Sequence, residues 1–273
     1  MRLQDQYIEF GAAIAGGIIL GIPDWQIVWW GIVFCILSIP AYIVNELVDS
    51  KDTDKYSWNL HHVRVEDADI PTIWLLFGTL SIIGLVLAYA LGFFLWGFAI
   101  WGIGILYSVE PFRFKRRFFF DLFIQIAVWW LIPLLSIIWG AFPWELSVSL
   151  CIINGLMITG VGFPYQLADY PADKKSGLYN THVALGMNGS LRLGFWISAA
   201  GLLFATVFGL YQWAAWTIPL MLLSTVVIWR YWYWLGLSSS SRQIESIRQY
   251  VRVVKPVSRL IVPFLFVYWR LFS

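Results

Sequence analysis

Long apolar runs follow one another along the chain, and short polar or glycine-containing segments separate them. A membrane-spanning helix needs about 20 mostly apolar residues. On this criterion the pattern predicts an all-α fold with about nine membrane-spanning helices. The predicted spans are Tyr7–Ile22, Trp25–Val44, Thr72–Leu91, Phe93–Ser108, Phe119–Trp139, Trp144–Leu167, Leu191–Leu210, Trp213–Leu235 and Val257–Leu271.

The composition supports an integral membrane protein. Hydrophobic residues make up 60% of the 273 residues and charged residues only 12%, whereas about a quarter of the residues in soluble domains are charged. The net charge of +2 is small, and no basic run is interleaved with exposed polar sequence, so nucleic acid is not expected as a partner. No domain boundary is visible, and we expect a single transmembrane domain over residues 1–273.

The distribution of Lys and Arg predicts the orientation of the chain in the membrane. If the N-terminus is inside, the short turns on the far side, such as Gly140–Pro143, contain no Lys or Arg. The long loops on the near side contain most of these residues, including the run from Arg113 to Arg117. Cytoplasmic loops are enriched in Lys and Arg. We therefore expect the N-terminus and the long loops in the cytoplasm, at the plasma membrane of a prokaryote.

An acidic cluster, NELVDSKDTD (45–54), follows the second predicted span. On a helix with 100° per residue, Asn45, Asp49 and Asp52 fall within about 60° of one another. Like charges this close repel one another unless a cation neutralises them, and oxygen ligands suit Mg²⁺ better than zinc. The pattern therefore predicts part of a magnesium site.

A second acidic cluster, FPYQLADYPADKKSG, lies at the end of the sixth predicted span. Asp169 and Asp173 are four residues apart and share a helical face, with Tyr165 one turn earlier. Pro171 complicates a straight helix here, although a proline near a helix end is tolerated. Because the two acidic clusters follow the second and sixth spans, their positions suggest a weak internal duplication.

A basic segment, YSVEPFRFKRR (107–117), lies between the two acidic clusters. For a basic loop alone, membrane topology is the simpler explanation. Because two acidic clusters lie on the same predicted side of the membrane, we interpret the cations of the basic segment as part of a binding site for a polyanion. Since magnesium bridges carboxylates to substrate phosphates, a diphosphate with a long apolar tail is the simplest ligand that satisfies all three segments.

Four other polar residues give weaker indications. His61 and His62 have no carboxylate or cysteine at ligand spacing, so we interpret them as loop residues. Gln125 and Asn154 lie inside predicted spans. Each either joins helices or lines a cavity wall, and the sequence leaves both interpretations open.

Three segments together resemble the three signatures of UbiA-type intramembrane prenyltransferases: NELVD–KD, YSVEPFRFKRR and DYPADKKSGLYNTHVALG. The resemblance implies helices around a central cavity, with polar loops that cap the cavity on the cytoplasmic side. In the first signature, Glu46 stands where the family has Asp, and Thr53 stands at the last Asp position. Asp52 or Asp54 could replace that last Asp, and the helical angle favours Asp52.

The resemblance also implies a chemistry. Two Mg²⁺ ions, one at each acidic cluster, would bind the diphosphate of an isoprenyl donor, and nearby cations would neutralise the departing pyrophosphate. A dry, aromatic-lined cavity would protect the allylic carbocation from water. The implied metal ligands are Asn45, Asp49, Asp52, Asp169 and Asp173. The implied catalytic residues are Asp49, Arg113, Lys115, Asp169 and Asp173. The implied diphosphate-binding residues are Tyr107, Arg113, Lys115, Arg116, Tyr165 and Lys174.

The expected partners are an isoprenyl diphosphate donor, an apolar acceptor in the bilayer and membrane lipid. The stretch from DLFIQIAVWW to DYPADKKSGLYNTHVALG resembles most the subgroup that elongates carotenoids, such as the lycopene elongases. Branches that act on quinone, haem or chlorophyll precursors share the scaffold. Two alternatives stay open: a UbiA-type terpene cyclase, and a catalytically silent membrane protein that binds isoprenoids, which the altered first signature favours.

Overall fold

The computed structural model describes residues 7–20, 24–52, 69–141, 143–212 and 214–253. In these ranges the chain forms helices and no strand, which confirms the predicted all-α fold. The helices are α1 (Tyr7–Leu20), α2 (Asp24–Asp52), α3 (Ile70–Ala90), α4 (Phe94–Leu106), α5 (Phe120–Ile126), α6 (Ile132–Ile138), α7 (Trp144–Ser176), α8 (Thr181–Gln212), α9 (Ala214–Leu235) and α10 (240–253).

In the described residues, each of the first eight predicted spans overlaps a helix, and the fifth combines α5, a π-helical turn over Ala127–Leu131 and α6. The ninth, Val257–Leu271, lies outside the described residues. By length and composition alone, three helices of the described part could cross a membrane, and bent α7 would make a fourth. Those three are Trp25–Val48, Ile70–Ala90 and Thr181–Val207. Helix α4 is a shorter apolar helix, and the predicted number of nine spans stays a prediction.

The described helices pack around two hydrophobic clusters. Helices α1, α2, α4 and α6 meet around the first cluster, in which Phe34 and Leu134 are fully buried. Helices α7 to α10 supply the second cluster, in which Tyr231 and Trp234 are fully buried. Leu122 of α5 belongs to the second cluster, so the α5–α6 segment connects the two halves.

Large apolar side chains also cover much of the outer surface. The exposed fractions of Leu75, Trp196 and Trp232 are 72%, 68% and 70%. A soluble monomer rarely exposes contiguous apolar surface on this scale. In a membrane the same side chains face lipid, and the aromatic ones suit the lipid–water interface.

Helix α7 bends by 45° next to Gly160. Pro164 accounts for the bend, because it has no N–H to donate to the carbonyl of Gly160 four residues earlier. The hydroxyl of Tyr231 on α9 donates to that carbonyl over 2.9 Å. A Cβ at Gly194 of α8 would lie 2.5 Å from the Tyr231 hydroxyl, so glycine leaves the tyrosine room to reach α7. The bend sets the direction of the half of α7 that carries the second acidic cluster.

Helix α8 is interrupted at Gly186, whose φ of 68° and ψ of 172° are not helical. A positive φ is readily adopted only by glycine. The hydroxyl of Ser190 lies 2.8 Å from the carbonyl of Gly186 and 3.2 Å from that of His182, so its one hydrogen satisfies a backbone acceptor at the break. The interruption separates a single turn over 181–185 from the rest of α8.

Candidate active site

The first acidic cluster and the basic segment meet at Asn45. Helix α2 continues to Asp52, so the backbone is helical through the predicted ligand positions. Oδ1 of Asn45 accepts a hydrogen bond from Oγ of Ser108 at 2.8 Å and one from Nζ of Lys115 at 3.4 Å. The side chains of Asp49 and Asp52, and all of Thr53, lie outside the described part of the chain. Asn45, a predicted magnesium ligand, and Lys115, a predicted diphosphate-binding residue, are therefore in direct contact.

The basic segment turns two of its cations inward. A single 3₁₀ turn over Phe114–Arg116 carries Lys115, whose backbone N–H donates to the carbonyl of Tyr107 at 3.0 Å. Arg113 precedes this turn with a φ of 34° and forms an ion pair with Glu110 at 3.4 Å. The exposed fractions of Arg113 and Lys115 are only 8% and 5%. Buried cations need compensating partners. The enrichment of Lys and Arg in cytoplasmic loops does not explain why these two cations are buried.

The second acidic cluster lies on the last turns of α7, which continues through Pro171 to Ser176 and ends at Gly177. Pro171 therefore does not end the helix. Oδ2 of Asp173 lies 2.9 Å from Nδ2 of Asn180 and 2.7 Å from Nε2 of His182. Both partners come from the start of α8 and are buried. The sequence predicted Asp173 as a site residue, but it did not predict the two residues that hold this carboxylate, Asn180 and His182.

The start of α8 also contacts the residues that follow the basic segment. The side chain of Asp121 accepts hydrogen bonds from the backbone N–H of Thr181, at 3.0 Å, and from its hydroxyl. The backbone N–H of Phe119 donates to the same hydroxyl at 2.8 Å. These bonds join the segment after the basic loop to the turn that carries Asn180 and His182, so the basic segment and the second acidic cluster share one polar network.

Helix α10 contacts the half of α7 that carries the second acidic cluster. Nε of Arg248 donates to the carbonyl of Ala168 at 3.3 Å. Burial lowers the pKa of the Arg248 guanidinium, while the negative charge of the neighbouring Asp169 acts in the opposite direction. The two predicted ligands of α7, Asp169 and Asp173, therefore have different neighbours: an arginine of α10 for the first, and Asn180 and His182 for the second.

The remaining predicted diphosphate-binding residues lie at different depths. Lys174 is exposed, and its ammonium lies 5.9 Å from the centroid of the Tyr170 ring. Tyr165 packs against the second hydrophobic cluster, and its hydroxyl is buried. Tyr107 packs against the first hydrophobic cluster, and Arg116 is half-buried within the 3₁₀ turn.

Among the other polar residues, Asn154 donates from Nδ2 to the carbonyl of Leu150 in its own helix, at 2.8 Å. Within the described part of the chain, its amide nitrogen therefore does not join two helices. The side chain of Gln125, together with His61 and His62, lies outside the described residues.

Sequence reasoning missed four residues of this network: Asp121, Asn180, His182 and Arg248. Asn180 and His182 follow Asp173 by seven and nine residues, but α7 ends at Gly177 between them, so helical spacing does not connect them to Asp173. The signal available was the segment LYNTH directly after Gly177, the glycine that ends α7. An asparagine before a helix is a typical N-cap, and Asn180 does cap α8, because its Oδ1 accepts from the N–H of Val183 at 3.0 Å.

The donor atoms present suit magnesium better than a transition metal. Among the described side chains, no group of three or more His, Cys, Asp or Glu residues gathers as a metal site. What the described residues offer is the carboxylates of Asp169 and Asp173 and the amide oxygen of Asn45. Magnesium is commonly held by one or two carboxylates together with water and substrate phosphates. The oxygen donors at the ends of α2 and α7 therefore fit this ion.

A sequence comparison identifies the family. The model of the UbiA prenyltransferase family matches residues 10–250. The chain belongs to this family. It is therefore a prenyltransferase of the integral membrane type, and the resemblance found in its three segments is confirmed. No match was found among curated protein sequences.

Solved structures share the UbiA fold with this chain. A UbiA homologue from Archaeoglobus fulgidus, bound to DMAPP and Mg²⁺, matches with a TM-score of 0.65 and 17% identity over 96% of each chain. The same homologue bound to GPP and Mg²⁺ matches with a TM-score of 0.64 and 19% identity over 96% of each chain. A digeranylgeranylglyceryl phosphate synthase matches with a TM-score of 0.65 and 14% identity, over 96% of this chain and 98% of that one. At these identities the likeness shows the fold.

Proposed function

We propose that this UbiA-family protein is a magnesium-dependent intramembrane prenyltransferase that moves an isoprenyl group from an isoprenyl diphosphate to a hydrophobic acceptor. The observation that carries the proposal is the contact of Asn45 with Lys115. It places a buried cation at the acidic end of α2, where carboxylates would hold magnesium, and a metal-bound diphosphate requires both a cation and a metal ion. The solved homologue bound to DMAPP and Mg²⁺ supports the same choice of donor and ion.

The residues divide by role. Asp49 and Asp52 would hold magnesium together with Asn45 at the end of α2, and Asp169 and Asp173 would hold it at the end of α7. We propose one ion at each cluster. When bound, magnesium neutralises diphosphate charge and orients the phosphates. The residues that would contact the diphosphate directly are Tyr107, Arg113, Lys115, Arg116, Tyr165 and Lys174.

The reaction begins with cleavage of the bond between C1 of the isoprenyl group and the diphosphate oxygen. The electron pair stays on the oxygen, so negative charge grows on the leaving pyrophosphate while C1 becomes an allylic cation. The buried ammonium of Lys115 and guanidinium of Arg113 stabilise the growing negative charge, and burial strengthens this effect because little water screens it. The acceptor then supplies electrons to C1 and releases a proton.

We propose a carotenoid such as lycopene as the acceptor, ahead of an aromatic quinone precursor. The support is the likeness of the segment from Asp121 to Gly186 to the carotenoid-elongating subgroup. A linear carotenoid is apolar along its whole length and reaches the enzyme from the bilayer. It therefore suits an enzyme embedded in the membrane, in which one end of the acceptor can approach the diphosphate.

Purified protein in lipid nanodiscs tests the proposal. It is supplied with Mg²⁺ and labelled dimethylallyl, farnesyl or geranylgeranyl diphosphate, with lycopene, with an aromatic quinone precursor, or with no acceptor. We expect pyrophosphate release and a prenylated carotenoid only when lycopene is present. Transfer to the aromatic compound alone would contradict the acceptor. A cyclic hydrocarbon formed without any acceptor would identify a terpene cyclase, and no pyrophosphate under any condition would identify a silent isoprenoid-binding protein.

We also infer that the chain is one domain whose active site faces the cytoplasm of a prokaryotic cell. The excess of Lys and Arg in the loops on the active-site side supports this orientation. Ser240 and Gly140 are exposed and lie at opposite ends of the predicted spans. Cysteines placed at these two positions should react with a membrane-impermeant maleimide from opposite sides, with Ser240→Cys labelled only in inverted vesicles. Labelling of Ser240→Cys in intact cells would reverse the orientation.

A further inference from the structure

One oxygen of Asp173 has two hydrogen-bond partners from α8. Oδ2 lies 2.9 Å from Nδ2 of Asn180 and 2.7 Å from Nε2 of His182, and the two nitrogens are 3.1 Å apart. The side chain of Asp173 is 15% exposed and that of His182 only 4%. Oδ2 is therefore an acceptor, on a partly buried side chain, that is shared between two donors.

The geometry assigns the proton on His182. An unprotonated Nε2 would point its lone pair at the carboxylate 2.7 Å away and repel it, so Nε2 carries a hydrogen and donates to Oδ2. The amide nitrogen of Asn180 can only donate. Nδ1 of His182 has no hydrogen-bond partner among the described residues, so the contact with Asp173 is the polar interaction that fixes the ring.

Several local features place these donors. Gly177 ends α7 with a φ of 74° and turns the chain back toward Asp173. Oδ1 of Asn180 caps α8 at the N–H of Val183, which leaves Nδ2 free to reach the carboxylate. The break at Gly186 then separates the turn that carries His182 from the long part of α8.

The other carboxylate oxygen, Oδ1, accepts no hydrogen bond from the described residues. We propose that Asn180 and His182 are positioning residues that hold Oδ2 of Asp173, so that the carboxylate offers Oδ1 alone to the metal ion. This proposal rests on the proposed function. Neighbours that hold a ligand in this way commonly change metal affinity 10- to 100-fold when they are removed.

Holding one oxygen also affects which cation is preferred. Calcium accepts bidentate carboxylates and irregular geometry, whereas magnesium requires near-octahedral geometry with short bonds. A carboxylate restricted to one oxygen therefore favours ions of the magnesium type. If the two donors only fasten α8 to α7, their loss lowers stability and leaves this preference unchanged.

The test uses the full-length protein in nanodiscs, with Mn²⁺ as a spectroscopic substitute for Mg²⁺ and without substrate. Free Mn²⁺ is measured by electron paramagnetic resonance, and Ca²⁺ is added as a competitor. His182→Leu removes the imidazole donor, and His182→Gln can place an amide nitrogen near the same position. Asn180→Ser keeps a capping oxygen and loses Nδ2. Melting temperatures verify that each variant folds.

We expect His182→Leu and Asn180→Ser each to weaken Mn²⁺ binding about tenfold or more, while Ca²⁺ becomes a relatively stronger competitor. His182→Gln should recover most of the affinity. Wild-type affinity in both loss variants, or an equal loss for Mn²⁺ and Ca²⁺, would overturn the positioning role. That result would leave the proposed function intact if wild-type protein still transfers prenyl groups with Mg²⁺. Wild-type protein that neither transfers prenyl groups nor binds Mn²⁺ would overturn both.

Discussion

The two acidic clusters lie near the ends of two long helices, α2 and α7, yet different neighbours hold them. Asn45 of α2 accepts hydrogen bonds from Ser108 and Lys115 of the basic segment. Asp173 of α7 is contacted by Asn180 and His182, which follow it by seven and nine residues. The first contact brings in a cation from a distant segment, and the second uses an amide and an imidazole from the next helix.

The internal duplication suggested by the sequence therefore does not extend to the environments of the two clusters. The end of α2 is coupled to a cation that would contact diphosphate. At the end of α7, within the described part of the chain, neither Lys nor Arg forms an ion pair with Asp173. We infer that the α7 carboxylate is arranged for a metal ion, whereas Asn45 connects the metal site to the diphosphate site.

The largest expected effect comes from removing the charge on the α7 side. Asp173→Asn keeps the shape of the side chain but loses its negative charge, and we expect pyrophosphate release to fall about 10²- to 10³-fold. Asp49→Ala should produce a loss of the same order at the α2 cluster. The control is Glu145→Gln, an exposed acid at the opposite end of α7, which should have wild-type turnover. Wild-type turnover in both cluster variants would contradict the metal-site assignment.

The cation beside Asn45 provides the second test. Lys115→Gln removes a buried ammonium, and we expect kcat/KM for the diphosphate donor to fall about 10²-fold, since low exposure strengthens its electrostatic effect. Arg117→Gln is the matched control, because Arg117 lies on the same segment but is exposed. Steady-state kinetics with varied donor concentration measure both. Equal losses in the two variants would mean that total loop charge, and not the buried position, governs donor binding.

The turn that brings α8 to Asp173 should be sensitive to backbone conformation. Gly177 has a φ of 74°, and a Cβ added there would meet no atom within 4 Å. Gly177→Ala therefore tests backbone strain alone, and we expect it to lower stability by about 1–2 kcal/mol. Gly78→Ala is the control, because Gly78 is helical with equally open space. Thermal unfolding in detergent compares them, and similar melting temperatures would rule out a strained turn.

The smallest expected effect is at Lys174, one residue after Asp173. Its ammonium is exposed and lies 5.9 Å from the centroid of the Tyr170 ring. Exposed charges contribute little because solvent and salt screen them. Lys174→Gln should therefore lower kcat/KM by no more than about fivefold. A loss as large as that of Lys115→Gln would show that solvent does not screen the contact between Lys174 and the diphosphate.

The sequence predicted most of the helices, because runs of apolar residues are long enough to identify them without knowledge of their neighbours. It also predicted the candidate ligands that share one helical face, Asp169 and Asp173, because their spacing requires only helix geometry. It did not reveal Asn180 and His182. Their contacts with Asp173 depend on the left-handed conformation of Gly177, and spacing along a straight helix gives no indication of such a turn.

Residue patterns were enough to predict the helical membrane architecture, the three polar segments and the oxygen-rich chemistry that fits magnesium and diphosphate. The packing of the helices determines which cations turn inward and which oxygen atoms accept hydrogen bonds. Lys115 is buried because its ammonium reaches Asn45, a residue 70 positions earlier in the chain. Asp121 and Thr181 are 60 positions apart and still form a hydrogen bond. Contacts of this range depend on how helices pack, and local residue patterns do not contain that information.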